Sequence, residues 1–398
     1  MQKLDETMRS ERSARKRKSR NRFTYLFVSV LAIISLLGNG TSAFSSEIPT
    51  STQVINVKED FNARGDGVRN DTAAIQAAID AVEPGGTLVI PPGAYNVNAN
   101  MNNKVNTNYG RSYFSLKISK PMTIIMDGAV FLMKTKDMHG VFWIYKTSDV
   151  HLKGGSIKGD VMPKDGILSS RVGVLVQESR NCSIENMYTT NLSQGINIYR
   201  SYNCAVRNVF TENNRGSGII NLNSDYTLIE SCKVINSGDG HLSLYGGGSN
   251  NTVRNCIVVE NRLGNNGQQG ITLENEHNSY IYNNTVKGFY YGIDIKNGTE
   301  SCSIVQNTAF NNQYNIAIRL GDPSQETEHE SHNIMLYKNN VRSPKIGSAN
   351  AGILIKAGRG HIVQENVVDT GKIMYFGAQI NSDIEINGNN FTSNTYVD

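Results

Sequence analysis

Apolar and polar residues alternate in short blocks along most of this chain. Within Gly270–Gly298 the pentad GITLE returns as GIDIK. Ile271 and Leu273 share one parity, as do Ile293 and Ile295, while Thr272, Glu274, Asp294 and Lys296 take the other. That is the period-two pattern of a short strand with one buried face. Between the pentads, YIYNNTV gives a second apolar run broken by Asn. The unit recurs as GVLVQ from Gly173, GINIY from Gly195, HLSLY from His241, NIAIR from Asn315 and GILIK from Gly352. Successive spacings are 22, 46, 29, 22, 23 and 37 residues. Gly218-Ile219-Ile220-Asn221-Leu222 halves the long step, with its alternation slipped by one residue. Strand-sized blocks at this period, with no helix-length pattern, predict a solenoid in which each unit buries its apolar face against the next.

A different pattern precedes the repeats. Ala73–Val82 is Ala-rich, with Ile75, Ile79 and Val82 on one helical face. Asp71 stands as its N-cap, and Pro84-Gly85-Gly86 ends it. Thr87–Ile90 follows as a strand and Pro91-Pro92-Gly93 as a turn. A solenoid exposes an unpaired edge at its end, and this helix is expected to cover it.

Composition supports short strands and tight turns: 37 Gly in 398 residues, abundant Asn, and 38% hydrophobic residues. A solenoid grows in one dimension, so 44–398 reads as one domain, with a capping segment at 59–97. Residues 1–43 read as a signal peptide: a basic stretch from Lys3 to Arg22, an apolar run at Phe23–Leu37, then Thr41-Ser42-Ala43. An uncleaved membrane anchor is the alternative. The stretch 1–43 holds nine basic and three acidic residues, a net of +6 against +4 for the whole chain, leaving about −2 for the rest. The basic balance therefore belongs to the leader, and nucleic acid is not an expected partner. The expected setting is secreted or periplasmic, with no stable membrane insertion after cleavage. Five cysteines leave at least one thiol free. Cys182 and Cys204 fall at one place in consecutive units, within reach of a bridge or packed inward as small apolar residues.

Phe61-Asn62-Ala63-Arg64-Gly65-Asp66-Gly67, Asn70–Ile79, Gly86-Thr87 and Ile90–Tyr95 closely resemble the N-terminal segment of pectate-lyase-like right-handed parallel β-helix proteins. Met122–Ala129 and Leu152–Asp160 are similar to early coils of the polygalacturonase type. The resemblance implies an all-β, right-handed parallel β-helix with an N-terminal capping α-helix. It implies a polysaccharide partner and a lyase, a glycoside hydrolase or an epimerase. The hydrolases' Asn-x-Asp, Asp-Asp, Gly-His-Gly and Arg-x-Lys do not stand here as written. Gly238-Asp239-Gly240-His241 is the nearest echo, and the epimerases' Asp-Pro-His is missing too. No catalytic residue carries over by motif.

Strand parity supplies a map instead. With the apolar pentad residues inside, one outward column reads Asn197, Ser243, Thr272, Asp294, Ala317 and Leu354. The other reads Tyr199, Tyr245, Glu274, Lys296, Arg319 and Lys356. The middle of this face would gather His241, Tyr245, Glu274, Asp294, Lys296 and Arg319, bordered by Asp239, with Tyr199, Asn197 and Lys356 as binding residues. The plainer reading is a charged surface with Glu274–Lys296 and Asp294–Arg319 pairs. A lyase needs a cation on the uronate carboxylate, Lys296 or Arg319, and a proton-transferring group, Tyr245 or His241. A hydrolase needs two carboxyls, Glu274 with Asp294 or Asp239 with Asp294. The lyase on an acidic polysaccharide is the leading expectation, the hydrolase second, and an epimerase or a non-catalytic carbohydrate-binding surface protein behind. No cofactor is expected as certain. Ca2+ on Asp239, Glu274 and Asp294 is the one metal considered.

Overall fold

The computed structural model describes residues 51–107, 110–134, 138–163, 170–262, 268–321, 329–342, 351–369, 373–375 and 384–391. The signal-peptide expectation for 1–43 lies outside them. Pro49–Asp398 form one compact unit. Among the described residues, three sheets carry twelve, thirteen and thirteen strands.

Each coil follows one recipe. The coil from Gln269 runs through a pentad strand (Gln269–Glu274), a second strand (Tyr280–Tyr282) and a third (Thr285–Lys287), then returns at Tyr291–Lys296. The pentad strands pair in parallel with their counterparts one coil away, as Ile271 with Ile293 and Leu273 with Ile295. These residues have no exposure, and with Ile281 and Val286 they belong to one continuous core. The chain is thus an all-β, right-handed parallel β-helix with one helix at its N-terminal end.

The second apolar run becomes two strands because Asn283 adopts a left-handed φ of 52° and turns the chain between them. The sequence suggested a row of stacked amides at Asn186, Asn208, Asn255 and Asn307. The first three are instead left-handed turn residues. The stacked row runs Asn284, Asn307, Asn339, Asn366 and Asn389, and so includes the fourth. Each of the first four donates its backbone N–H to the next Oδ1, at 2.9, 3.0, 2.9 and 2.9 Å. Their Nδ2 groups donate to carbonyls inside the coil, as Asn307 to Ile281 at 2.9 Å. The row satisfies buried backbone groups that no strand reaches. All five cysteines are free and buried, which matches small residues packed inward.

The slipped coil keeps its register. Ile219 pairs with Ile196 and Leu242 and so faces inward, which turns Ile220 and Leu222 outward. Asn221 faces in, with Nδ2 on the Ser224 carbonyl at 3.1 Å.

Helix α1 spans Thr72–Ala81, with Ile75, Ala78 and Ile79 buried. Asp71 stands at its N-cap but makes no capping bond to the helix. Its carboxylate accepts instead from Arg64 N at 2.8 Å and Gly65 N at 3.0 Å, pinning the preceding turn. Gln76 covers the sheet edge: its Oε1 accepts from Lys117 N at 2.8 Å and its Nε2 donates to Lys117 O at 3.0 Å. One amide side chain thereby supplies the backbone pairing that a missing strand would offer. Asn100–Thr107 and Gly110–Ile118 form an antiparallel pair at the start of the pentad sheet. Among the described residues, no helix is long and apolar enough to cross a membrane.

Candidate functional site

The outward face of the pentad sheet carries the expected columns in register. Leu175, Asn197, Ile220, Ser243, Thr272, Asp294, Ala317 and Leu354 form one. Gln177, Tyr199, Leu222, Tyr245, Glu274 and Lys296 form the other. Arg319 and Lys356 follow their strands, each donating its backbone N–H to the coil before, at 2.9 and 2.8 Å.

The centre of the face is built of ion pairs. Lys296 Nζ lies 3.2 Å from Glu274 Oε2. Arg319 donates from Nε and Nη2 to the two oxygens of Asp294, each at 2.8 Å. Its guanidinium also lies over the Tyr291 ring, 4.5 Å from the centroid. Asp294 has no exposure and Lys296 keeps 5%, so water screens these pairs little. Burial pushes the Tyr291 hydroxyl up to about 12, against the pull of Arg319.

One expected residue, His241, leaves the face. His241 sits in the corner between the third strand and the pentad, where the chain turns at Gly240 and parity fails. Its Nε2 accepts from Ser237 N at 3.0 Å, and its ring meets Phe289 edge-on at 4.5 Å. Glu260 Oε2 lies 3.4 Å from that Nε2 and 2.6 Å from Arg262 Nη2. Burial pushes the Glu260 carboxyl up, but His241 and Arg262 outweigh it and hold the group at about 2. Burial drives the His241 pKa down. His241 therefore holds a corner together and has no exposure. Asp239 is exposed on the same corner, in a left-handed turn with φ 52°. Asp239, Glu274 and Asp294 do not gather, and among the described residues no three or more His, Cys, Asp or Glu side chains come together to hold a metal ion.

Toward the N-terminal end the face turns aromatic and basic, and parity arguments missed this part. Trp143 stacks on Tyr145 at 4.4 Å and donates its indole N–H to Gln177 Oε1 at 3.0 Å. Lys117 Nζ lies 5.0 Å from the Trp143 ring and 5.2 Å from the Tyr145 ring. Lys146 Nζ lies 5.1 Å from the Tyr145 ring and 3.4 Å from Glu178 Oε2. The Tyr145 hydroxyl, then Glu178, hold the Lys146 ammonium above its ordinary range. Arg200 stacks over Tyr199 at 5.0 Å. Lys146, Glu178, Arg180, Arg200, Tyr202 and Asp225 line a furrow of about 730 Å3 beside this face.

A signal for this region was present. Lys146, Glu178, Arg200 and Asn223 each follow a pentad strand in successive coils, and each is left-handed, with φ of 50°, 49°, 46° and 50°. Later coils place Gly246, Asn275 and Asn297 there, the residues that such a backbone tolerates. Three charged side chains at a site suited to Gly or Asn mark a place where side-chain chemistry outweighs backbone comfort.

The family described as "Right handed beta helix region" matches residues 140–314, and "Rhamnogalacturonase A/epimerase, pectate lyase-like" matches 54–140. The mannuronan C5-epimerase AlgE6 of Azotobacter vinelandii is 61% identical over 46 residues, 11% of this chain and 5% of that protein. The matched stretch is thus a small part of this curated relative's length. Among solved structures, the A-module of Azotobacter vinelandii mannuronan C-5 epimerase AlgE4 superposes with a TM-score of 0.62 at 16% identity, over 87% of this chain and 100% of that one. A hyperthermoactive exopolygalacturonase from Thermotoga maritima gives 0.58 at 15% identity, over 82% and 88%. At such identities the likeness concerns the fold. The chain belongs to the pectate-lyase-like superfamily of right-handed parallel β-helix proteins.

Proposed function

We propose that this protein is an extracytoplasmic enzyme acting on an acidic polysaccharide, and that it removes the proton next to a uronate carboxyl group. The observation that carries this is Tyr145 with two lysine ammoniums close to its ring, Lys117 at 5.2 Å and Lys146 at 5.1 Å, beside the furrow. A carbon-bound proton becomes acidic enough only when the adjacent carboxylate is neutralised. One ammonium meets the carboxylate, and the Tyr145 oxygen, in its phenolate form, takes the proton and passes it to the departing glycosidic oxygen. The electron pair left on the carbon then expels the glycosidic oxygen and forms a double bond, which is a lyase. If a proton instead returns from the other face, the polymer is epimerised. The short, high-identity matches to mannuronan C5-epimerases favour that second outcome.

Tyr245, Glu274 and Lys296 offer the same groups on successive rungs of the face and form a second place for the reaction. Hydrolysis fits less well. Both oxygens of Asp294 accept from Arg319, and Glu274 accepts from Lys296 and Asn297, so neither carboxyl stands ready to deliver a proton. Residues 1–43, read as an export signal, support the extracytoplasmic setting.

The test is a panel of polyuronates and neutral polymers, followed by ultraviolet absorbance, reducing ends and uronate composition together. Absorbance rising with reducing ends identifies a lyase. Changed composition at constant chain length identifies an epimerase. Reducing ends alone would overturn the proposal in favour of hydrolysis, and retention on the polymer without reaction would leave a binding protein.

A further inference from the structure

We infer that the furrow at the corner after the pentad strands is a binding subsite for a second uronate of the same chain, with Arg180 and Arg200 as the carboxylate-holding groups. The inference rests on the reading of the substrate as an acidic polysaccharide and extends it to named residues that no family motif marks.

Five charged side chains line the furrow: Lys146, Arg180 and Arg200 against Glu178 and Asp225. The two carboxylates already have work. Glu178 faces Lys146 at 3.4 Å, and Asp225 Oδ1 accepts from the backbone N–H and hydroxyl of Ser249, both at 2.8 Å. Neither arginine forms an ion pair among the described residues. Two exposed guanidiniums with no carboxylate partner among the described residues, one of them 5.0 Å from the centre of the Tyr199 ring, are suited to a planar anion. Tyr202 lines the same furrow at 51% exposure, with its ring 5.0 Å from that of Tyr226 at 49%. Exposed aromatic rings beside cations suit a sugar ring that carries a carboxylate. The furrow volume of about 730 Å3 is in the range of small-ligand sites.

The backbone adds a separate argument. Arg200 holds φ 46° at a position where the later coils have Gly246, Asn275 and Asn297. Arg there is disfavoured by the left-handed turn, so its retention points to a role for the side chain. Arg180 lies in the next column of the same corner, bridged to Ser148 and to Tyr202 on the neighbouring coils. The two arginines therefore sit on adjacent coils and line one furrow.

The experiment uses the full chain and compares wild type with Arg180→Gln, Arg200→Asn and the double variant. Asn suits the left-handed turn, so Arg200→Asn removes the guanidinium while easing the backbone, and thermal unfolding checks that each variant folds. Retention is read by affinity electrophoresis in gels holding polygalacturonate, polymannuronate or neutral dextran, and turnover is read on whichever polymer reacts. Each single variant is expected to weaken polyuronate retention and raise KM about tenfold, with kcat changing less than KM, and to leave dextran mobility alone. Folded variants that bind and turn over polyuronate like wild type would overturn the subsite while leaving the proposed reaction intact. Wild type that neither binds nor converts any polyuronate would overturn both.

Discussion

Asp294 and Arg319 sit on adjacent coils, with both carboxylate oxygens 2.8 Å from guanidinium nitrogens and no exposure at the aspartate. A bidentate pair so placed stabilises only while both partners are present. Asp294→Asn or Arg319→Gln alone leaves one buried group uncompensated, a loss of about 3–5 kcal/mol. Replacing both by apolar residues is expected to cost less than either alone. Denaturant midpoints of the two single variants and the double variant check this. Additive losses would contradict it.

Glu276 gives a pH dependence with a definite sign. It is fully buried; Asn251 and Ser279 donate to Oε1, and Oε2 has no partner among the described residues. Burial pushes its pKa up to about 7, with those two hydrogen bonds opposing. Below the unfolded value, near 4.5, the group carries its proton in both states and costs nothing. Between about 4.5 and about 7 the folded chain keeps a proton that the unfolded chain has released, so this residue lowers stability as pH rises. Glu276→Gln should therefore leave the thermal midpoint near pH 4 unchanged and raise stability at pH 8 by up to about 3 kcal/mol. A variant less stable than wild type at pH 8 would contradict the burial argument.

The amide row predicts a local cost. Asn307 accepts from the backbone N–H and side chain of Asn284 and donates to the Ile281 carbonyl. Asn307→Ala leaves these buried groups unpaired, at about 2–4 kcal/mol in total. Equilibrium unfolding measures it, and Asn307→Ser, which can keep part of the bonding, should lose less.

The reaction makes its own demand on side chains. Tyr145→Phe is expected to lower kcat on a responsive polyuronate by about 100-fold or more, and Lys117→Met to act in the same direction. The parallel Tyr245→Phe and Lys296→Met variants decide between the two places on the face. Whichever pair abolishes turnover while near-ultraviolet circular dichroism stays native marks the reacting site.

Much of the fold was legible because its signal repeats. The pentads announced a parallel sheet, and GITLE over GIDIK gave the register that places Thr272 beside Asp294 and Glu274 beside Lys296. The plainer expectation of Glu274–Lys296 and Asp294–Arg319 pairs is what the geometry shows. His241 was misplaced because alternation holds only within a strand, and Gly240 stands where the chain turns into one. Of the four positions expected for the amide row, Asn307 stands in it and the other three do not, for a similar reason: at Asn283-Asn284 the left-handed Asn and the stacked Asn are neighbours at a corner, where no period distinguishes them. Lys117 was invisible to the repeat because it precedes the pentads, on the strand that α1 covers. Trp143 and Tyr145 were missed because the wholly apolar run VFWIY shows no alternation.

Release of the C5 hydrogen is the most direct test of the reaction. A polyuronate carrying tritium at C5 would be incubated with the protein, and label appearing in water would be followed beside reducing ends. Lyase and epimerase chemistry both predict label in the solvent, lost with Tyr145→Phe or with Tyr245→Phe. Chain cleavage that leaves the label on the sugar would contradict proton removal and place the protein among the hydrolases.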